Sequence, residues 1–357
     1  MNDERIAESG RMTRRARIGI IGAGWWAVAN HIPALKAIPD CEIVAVNRLG
    51  ARELAEVQNA FGIEHGFEDY REMLARVEMD GVVVSSPHVL HFEHASAALA
   101  RGRHVLVEKP MTTTAQDARA LVQLAAKAER EIVIAYGWNF KPWVPEARRL
   151  AAGVGRIEHI VLQMANALDD LFAGEPMKET EGAMFRPPPS TWADPKRAGG
   201  FGWGQLVHPL GLMFRIVDLE PREVFALTVQ SRANVDYYDA AAARFAGGAT
   251  ASLSGAATLP KGRPVQIDLR IFGSEGMLLL DIERERLELR RRDGRDEVVA
   301  LKAGDGAYAC EAPLSVLVDL CLGRKTENAA PGLVGQRAVE VLDAMYRSAK
   351  SGRMETV

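Results

Sequence analysis

The sequence predicts an α/β chain in two parts, a parallel sheet wrapped by helices followed by a mostly antiparallel open sheet. Three observations carry that expectation. Short β-branched runs alternate with helical stretches over residues 1–140, a glycine-rich turn follows the first run directly, and hairpin-spaced β-type runs succeed one another after Val224.

The parallel part is read element by element. Arg17–Ile21 is the first strand, Trp25–Ile38 a helix kinked or broken at Pro33, Glu42–Val46 the second strand and Ala51–Phe61 the next helix. Gly81–Ser85, His104–Val107 and Glu131–Ala135 are further strands, with helices at Asp69–Val77, Leu90–Arg101 and Ala115–Arg130. The strand runs are apolar at consecutive positions, as strands covered on both faces require. After Pro145 the rhythm changes. Gly155–Ala165 reads as a long strand, Gly174–Gly204 as a Gly- and Pro-rich loop region, and Val224–Val229, Ala241–Phe245, Ala249–Leu253, Val265–Phe272, Gly276–Asp281 and Arg286–Arg291 as antiparallel strands. Leu333–Ala349 is a closing helix that ends at Gly352.

Composition narrows the function classes. The 357 residues carry 44 Lys plus Arg against 47 Asp plus Glu, a net −3, so no basic excess points to nucleic acid. Three cysteines, Cys41, Cys310 and Cys321, suit neither a disulfide framework nor a zinc cage, and a reducing, cytoplasmic compartment is expected. The uncharged stretch Ile18–Leu35 behind Arg14-Arg15 imitates an export or membrane segment. Its three glycines, Asn30, His31 and Pro33 argue against both, and no membrane association is expected.

Gly22-Ala23-Gly24-Trp25-Trp26-Ala27 gives that stretch another meaning. GxGxxA after a first strand is the dinucleotide fingerprint of a Rossmann βαβ unit. Gly22 allows the tight turn, Gly24 lets the backbone approach a pyrophosphate, and the helix start offers free N–H groups. The second strand runs into Asn47-Arg48 instead of a carboxylate. Arg48 suits a 2′-phosphate and Asn47 can donate to it, so NADP(H) is expected ahead of NAD(H). A surface arginine without a nucleotide role is the plainer alternative.

Val105-Leu106-Val107 leads into Glu108-Lys109-Pro110, and Ser85-Ser86-Pro87-His88-Val89-Leu90-His91 closes the preceding strand at the same sheet edge. With the glycine turn, Arg101–Pro110 and the closing Tyr346-Arg347-Ser348-Ala349, these motifs resemble the glucose–fructose oxidoreductase / inositol dehydrogenase / MocA family over nearly the whole chain. The resemblance implies a Rossmann domain at residues 17–140 and a substrate and oligomerisation domain at 141–330. A C-terminal helix and tail would follow at 331–357, and a disordered tail would precede at 1–16. It also implies a homodimer or homotetramer formed through the C-terminal sheet.

By that resemblance Lys109 lies between nicotinamide and substrate. A partly desolvated lysine there has the chemistry to polarise or deprotonate a hydroxyl during hydride transfer; a lysine that only pairs with Glu108 is the alternative. The family's glycine run is followed by Asp and, four positions later, His. Here His208 fills the histidine position, but Gly204 stands at the Asp position and Gln205 follows, resembling a variant branch with Gly-Gln before the histidine. His208 is expected as an acid/base group on a small-molecule substrate; a buried histidine with a satisfied hydrogen bond is the alternative. Tyr136, Gln205 and Tyr238 are expected at the substrate. Trp25, Trp26, Ser86, Pro87, His88, His91, Glu108, Asn139, Trp192 and Arg197 are expected at the cofactor. For the aromatics, packing between domains is an equal alternative. The spacing of His88, His91 and His94 does not make a metal site, and none is expected. The substrate expectation is a secondary alcohol of a sugar, polyol or related cyclic carbohydrate. A non-sugar cyclic diol, or a cofactor-sensing regulator without catalysis, stays open beside it.

Overall fold

The computed structural model describes residues 14–357, so most of the expected tail lies outside the described residues. The first sheet holds β1 (Ala16–Ile21), β2 (Cys41–Asn47), β3 (His65–Phe67), β4 (Gly81–Val84), β5 (His104–Val107) and β6 (Ile132–Ile134). They are parallel throughout, in the order β3-β2-β1-β4-β5-β6. This is the doubly wound Rossmann order, with its switch point between β1 and β4. Local chemistry sets the helix starts. Asp69 accepts from the Arg71 N–H at 2.7 Å, and Thr114 accepts from the Asp117 N–H at 3.1 Å.

The expected Trp25–Ile38 helix runs unbroken over residues 25–36, wound more widely at Ala27–His31 and regular again at Ile32–Lys36. Pro33 has no N–H to return to the preceding turn, and the helical register opens there. The Lys109–Pro110 peptide is cis.

The second sheet holds β7 (Ile157–Ala165), β8 (Pro221–Gln230), β9 (Asp236–Phe245), β10 (Thr250–Ala256), β11 (Gln266–Gly273), β12 (Gly276–Asp281), β13 (Arg286–Arg291), β14 (Glu297–Ala300) and β15 (Glu355–Thr356). Its order is β14-β13-β12-β11-β7-β10-β9-β8-β15, and only β7 and β10 pair in parallel. Helices Val144–Ala152, Val207–Ile216 and Gly332–Ser351 cover its inner face. On the other face Leu227, Val229 and Tyr238 are exposed.

Three helices of nine residues or more lack a sequence counterpart, Val144–Ala152, Val207–Ile216 and Glu311–Cys321, as do the short Asp169–Phe172 and Ser190–Ala193. Helix Val207–Ile216 is buried nearly all round, which erases the one-sided periodicity that marks a surface helix. Glu311–Cys321 lies within the 141–330 segment, yet its Leu314, Leu317, Val318 and Cys321 pack with Ile18, Ile20, Leu106 and Val133 of the first sheet. The chain thus returns to close one face of the nucleotide half. Among the described residues, no helix is long and apolar enough to cross a membrane.

Candidate active site

Ligands of open α/β sheets gather at the carboxyl ends of strands beside the switch point. There Gly22 holds φ +83°, and a Cβ on it would lie 2.7 Å from both N and Cα of Ser86. The Asn47 carbonyl accepts from the N–H groups of Gly22 at 3.1 Å and Ala23 at 2.9 Å, which fixes the turn. Around Gly24 the nearest atoms to an added Cβ are 3.9 Å away, so the surface above the turn is open. This side-chain-free cradle at a helix start fits a dinucleotide pyrophosphate.

Arg48 lies across the same turn. Its Nη1 donates to the Ala23 carbonyl at 3.0 Å, and its guanidinium carbon sits 3.7 Å from the centre of the Phe185 ring. Its Nε is buried without a partner. Burial lowers the Arg48 pKa, and Glu53 and Glu56 oppose that shift. Asn47 does not stand ready for a phosphate as expected, because its Nδ2 already donates to the carbonyls of Phe67 at 3.1 Å and Glu68 at 2.9 Å.

Glu108 follows β5 directly as a buried carboxylate. Its Oε1 accepts from Trp26 Nε1 at 2.7 Å and meets His31 Nε2 at 2.9 Å. Burial would raise its pKa; the His31 hydrogen bond and the charges of His31 and Lys109 outweigh that and hold it below the usual range. Lys109 is therefore not confined to an ion pair with Glu108. Its Nζ donates to the Gly204 carbonyl at 2.7 Å, bridging the two halves of the molecule. Gly204 lies in Gly202–Leu206, which winds with hydrogen bonds five residues back, and Pro209 just beyond it has no N–H to offer a carbonyl of that turn. Burial lowers the Lys109 pKa and the Glu108 charge partly restores it.

His208 stands four residues beyond Gly204, on the same helix face. It is 6 % exposed and its Nδ1 has no partner, so the satisfied-histidine alternative is not what the structure holds. Burial, helped by the Lys109 charge, keeps it far below its usual pKa and therefore neutral. The rings of Trp138 and Tyr308 stand edge-on at 5.4 and 5.2 Å, and that of Tyr136 at 6.2 Å. The Tyr136 hydroxyl is buried and unpartnered. A Cβ on Gly204 would meet Phe172 at 3.2 Å and Trp192 at 3.7 Å, so aromatic rings crowd this position.

Gln205 Oε1 meets Asn166 Nδ2 at 3.4 Å. Trp192 stands edge-on to Trp25 at 6.1 Å, across the boundary between the two halves. Arg197 has a buried, unpartnered Nε. The Ser86–His91 loop is internally tied, with Ser86 Oγ 2.9 Å from His94 Nδ1 and each ring nitrogen of His91 2.7 Å from a carbonyl, those of Ser86 and Pro110. Pro87 precedes the short turn His88–Leu90, and His88 Nδ1 meets the Ala198 carbonyl at 3.1 Å.

Two expected residues are placed elsewhere. The Asn139 amide donates to the carbonyls of Gly211 and Ala329, tying its turn to the second half instead of facing a cofactor. Tyr238 pairs with Val229 on the exposed face of the second sheet, because strand residues alternate sides. No group of three or more metal-ligating side chains occurs among the described residues.

Two family models match the chain. The oxidoreductase family with an NAD-binding Rossmann fold matches residues 16–136, and the GFO/IDH/MocA C-terminal domain matches residues 154–279. The chain belongs to the Gfo/Idh/MocA family. Among its relatives is a dTDP-3,4-didehydro-2,6-dideoxy-alpha-D-glucose 3-reductase of Streptomyces violaceoruber, 28 % identical over 94 % of this chain and 96 % of that one. An uncharacterized oxidoreductase of Synechocystis is 31 % identical over 38 % of this chain, and the match spans only 37 % of that protein. Levoglucosan dehydrogenase, solved in complex with NADH, superposes with a TM-score of 0.76 at 20 % identity, covering 96 % of this chain and 99 % of that one. In Gfo/Idh/MocA terms, the sequence motifs did not reveal Phe185, His31, Phe172 or Tyr308 at the site. Each comes from a loop or helix whose contacts are long-range, and none belongs to a local motif.

Proposed function

We propose that this Gfo/Idh/MocA protein is an NADP(H)-dependent oxidoreductase that moves hydride to or from a secondary alcohol carbon of a sugar, polyol or related cyclic carbohydrate. The observation that carries the reading is the Lys109 ammonium, anchored 2.7 Å from the Gly204 carbonyl and one helical turn from an unpartnered, neutral His208, at the strand edge beside the glycine turn. The nicotinamide, when bound, supplies or takes the hydride. Gly22, Gly24 and the first amides of the following helix would hold the pyrophosphate, and Arg48, bonded across the same turn, would serve a 2′-phosphate. Lys109 polarises or deprotonates the reacting hydroxyl, its lowered pKa suiting proton transfer. His208 assists as acid/base, while Tyr136, Trp192 and Gln205 shape the substrate space. The sugar reductase among the relatives supports the substrate class. The exposed apolar residues Leu227 and Val229 support self-association through the second sheet, as a dimer or tetramer.

The test is NADPH or NADH turnover across a panel of sugars, polyols, their ketones and cyclic diols. Turnover with a sugar or polyol is expected. Turnover confined to non-sugar diols replaces the substrate class, and tight NADPH binding with no turnover at all overturns the reading in favour of a regulator. For the cofactor, thermal shift should favour NADP(H) over NAD(H), and Arg48→Asp should reverse that order with an NADP(H) affinity loss of about 10–100-fold. A parent preference for NAD(H) sinks the Arg48 argument.

A further inference from the structure

Beneath the helix that carries Gly204 and His208, β9 holds two carboxylates that the proposed chemistry does not use. Asp236 and Asp239 are 3 % and 2 % exposed. Three positions apart on a regular strand they would face opposite sides. A bulge brings them to one side: Val229 pairs with Tyr238 and Gln230 with Asp236, which leaves Tyr237 as the extra residue.

Their surroundings differ sharply. Asp236 Oδ2 accepts from the Gly202 N–H at 2.7 Å, and its Oδ1 accepts from the Tyr346 hydroxyl at 2.8 Å. Tyr346 in turn accepts from the Trp203 N–H at 3.2 Å. Asp236 thus answers, directly and through Tyr346, two of the amides that open the active-site helix, where an anion is favoured. Its approach also explains Gly200, which has φ +111° and whose Cβ would lie 2.0 Å from Asp236 Oδ1. Both oxygens of Asp239 are buried without a donor. The titratable groups facing Asp239 are Asp236 and Tyr346, while β10 and the helix start bring Gly255 and the Phe201 ring. Two carboxylates buried together do not both ionise, and the one already supplied with donors keeps the charge.

We propose that Asp239 carries a proton at neutral pH and donates it to Asp236, and that this pair positions the helix presenting Gly204 and His208 to Lys109. Burial and the Asp236 charge both drive the Asp239 carboxyl well above its ordinary range. The positioning role rests on the reading of Lys109 and His208 given above; the shared proton does not.

The sign of the pH effect follows from linkage. The folded protein holds the Asp239 proton more tightly than the unfolded chain, so this group's contribution to stability is fully present below the ordinary carboxylate range and is lost as pH rises toward the folded value. Asp239→Asn keeps the shape and the donor but does not titrate. We expect it to melt above the parent at mildly alkaline pH, with a flatter pH dependence. The parent at neutral pH should show a protonated-carboxyl infrared band that the Asn variant lacks. Asp239→Ala should lower turnover about tenfold to a hundredfold, and Asn should restore it. A parent without the infrared band, or an Asn variant with the parent's pH slope, overturns the shared proton. Parent-like turnover in the Ala variant overturns the positioning role. If no substrate turns over, the proposed function fails, while the melting and infrared measurements still decide the dyad.

Discussion

Lys109→Met is expected to cut turnover about 10²–10⁴-fold while NADPH affinity stays within a few-fold of the parent. Methionine keeps much of the length and packing of the side chain and removes the ammonium that bonds the Gly204 carbonyl. Lys109→Arg should not rescue, because a planar fork of fixed charge neither fits a single carbonyl as an ammonium does nor gives up a proton. The pH profile follows from the lowered Lys109 pKa. With Lys109 in the proposed role, alcohol oxidation is expected to use the free amine as base and to rise with pH, and ketone reduction to use the ammonium as donor and to fall. Steady-state rates in both directions, with NADPH titration by fluorescence, check this. Undiminished turnover in the Met variant would remove Lys109 from the chemistry.

His208→Ala is the second large effect, expected to lower turnover by about 10²-fold or more with little change in NADPH affinity. Its Nδ1 is buried and has no carboxylate to orient it, and Gly204 stands four residues before it. Burial keeps the ring neutral, so in the proposed role it would act as an acceptor and is expected to add no titration of its own near neutral pH. His208→Gln should retain part of the rate if the ring mainly hydrogen-bonds the substrate, and none of the lost rate if it moves a proton. Equal turnover in the Ala variant and the parent would take His208 out of the mechanism.

The nucleotide half was legible because its signals are local. A β-branched run, a glycine turn and a helix start sit side by side in the chain, and β1 through Gly24 can be read from them without knowing any distant contact. The second half was legible as hairpins, for the same reason. What escaped was set by contacts far apart in sequence. Helix Val207–Ile216 is apolar on every side because sheet and helices enclose it. Asn47 and Asn139 have side chains of the right kind, but the carbonyls that take their N–H groups come from elsewhere in the fold. Asp236 and Asp239 share a face only through a bulge that no residue type announces.

The return of Glu311–Cys321 to the first sheet bears on how the chain comes off the ribosome. Ile18 and Ile20 are made long before Leu314 and Val318, which cover them. The nucleotide half is therefore not a module that can be cut out at its functional boundary. Expressed as residues 17–140 alone, it would present an apolar sheet face to solvent, and during translation that face waits uncovered, an aggregation hazard that favours prompt completion or a chaperone's hold.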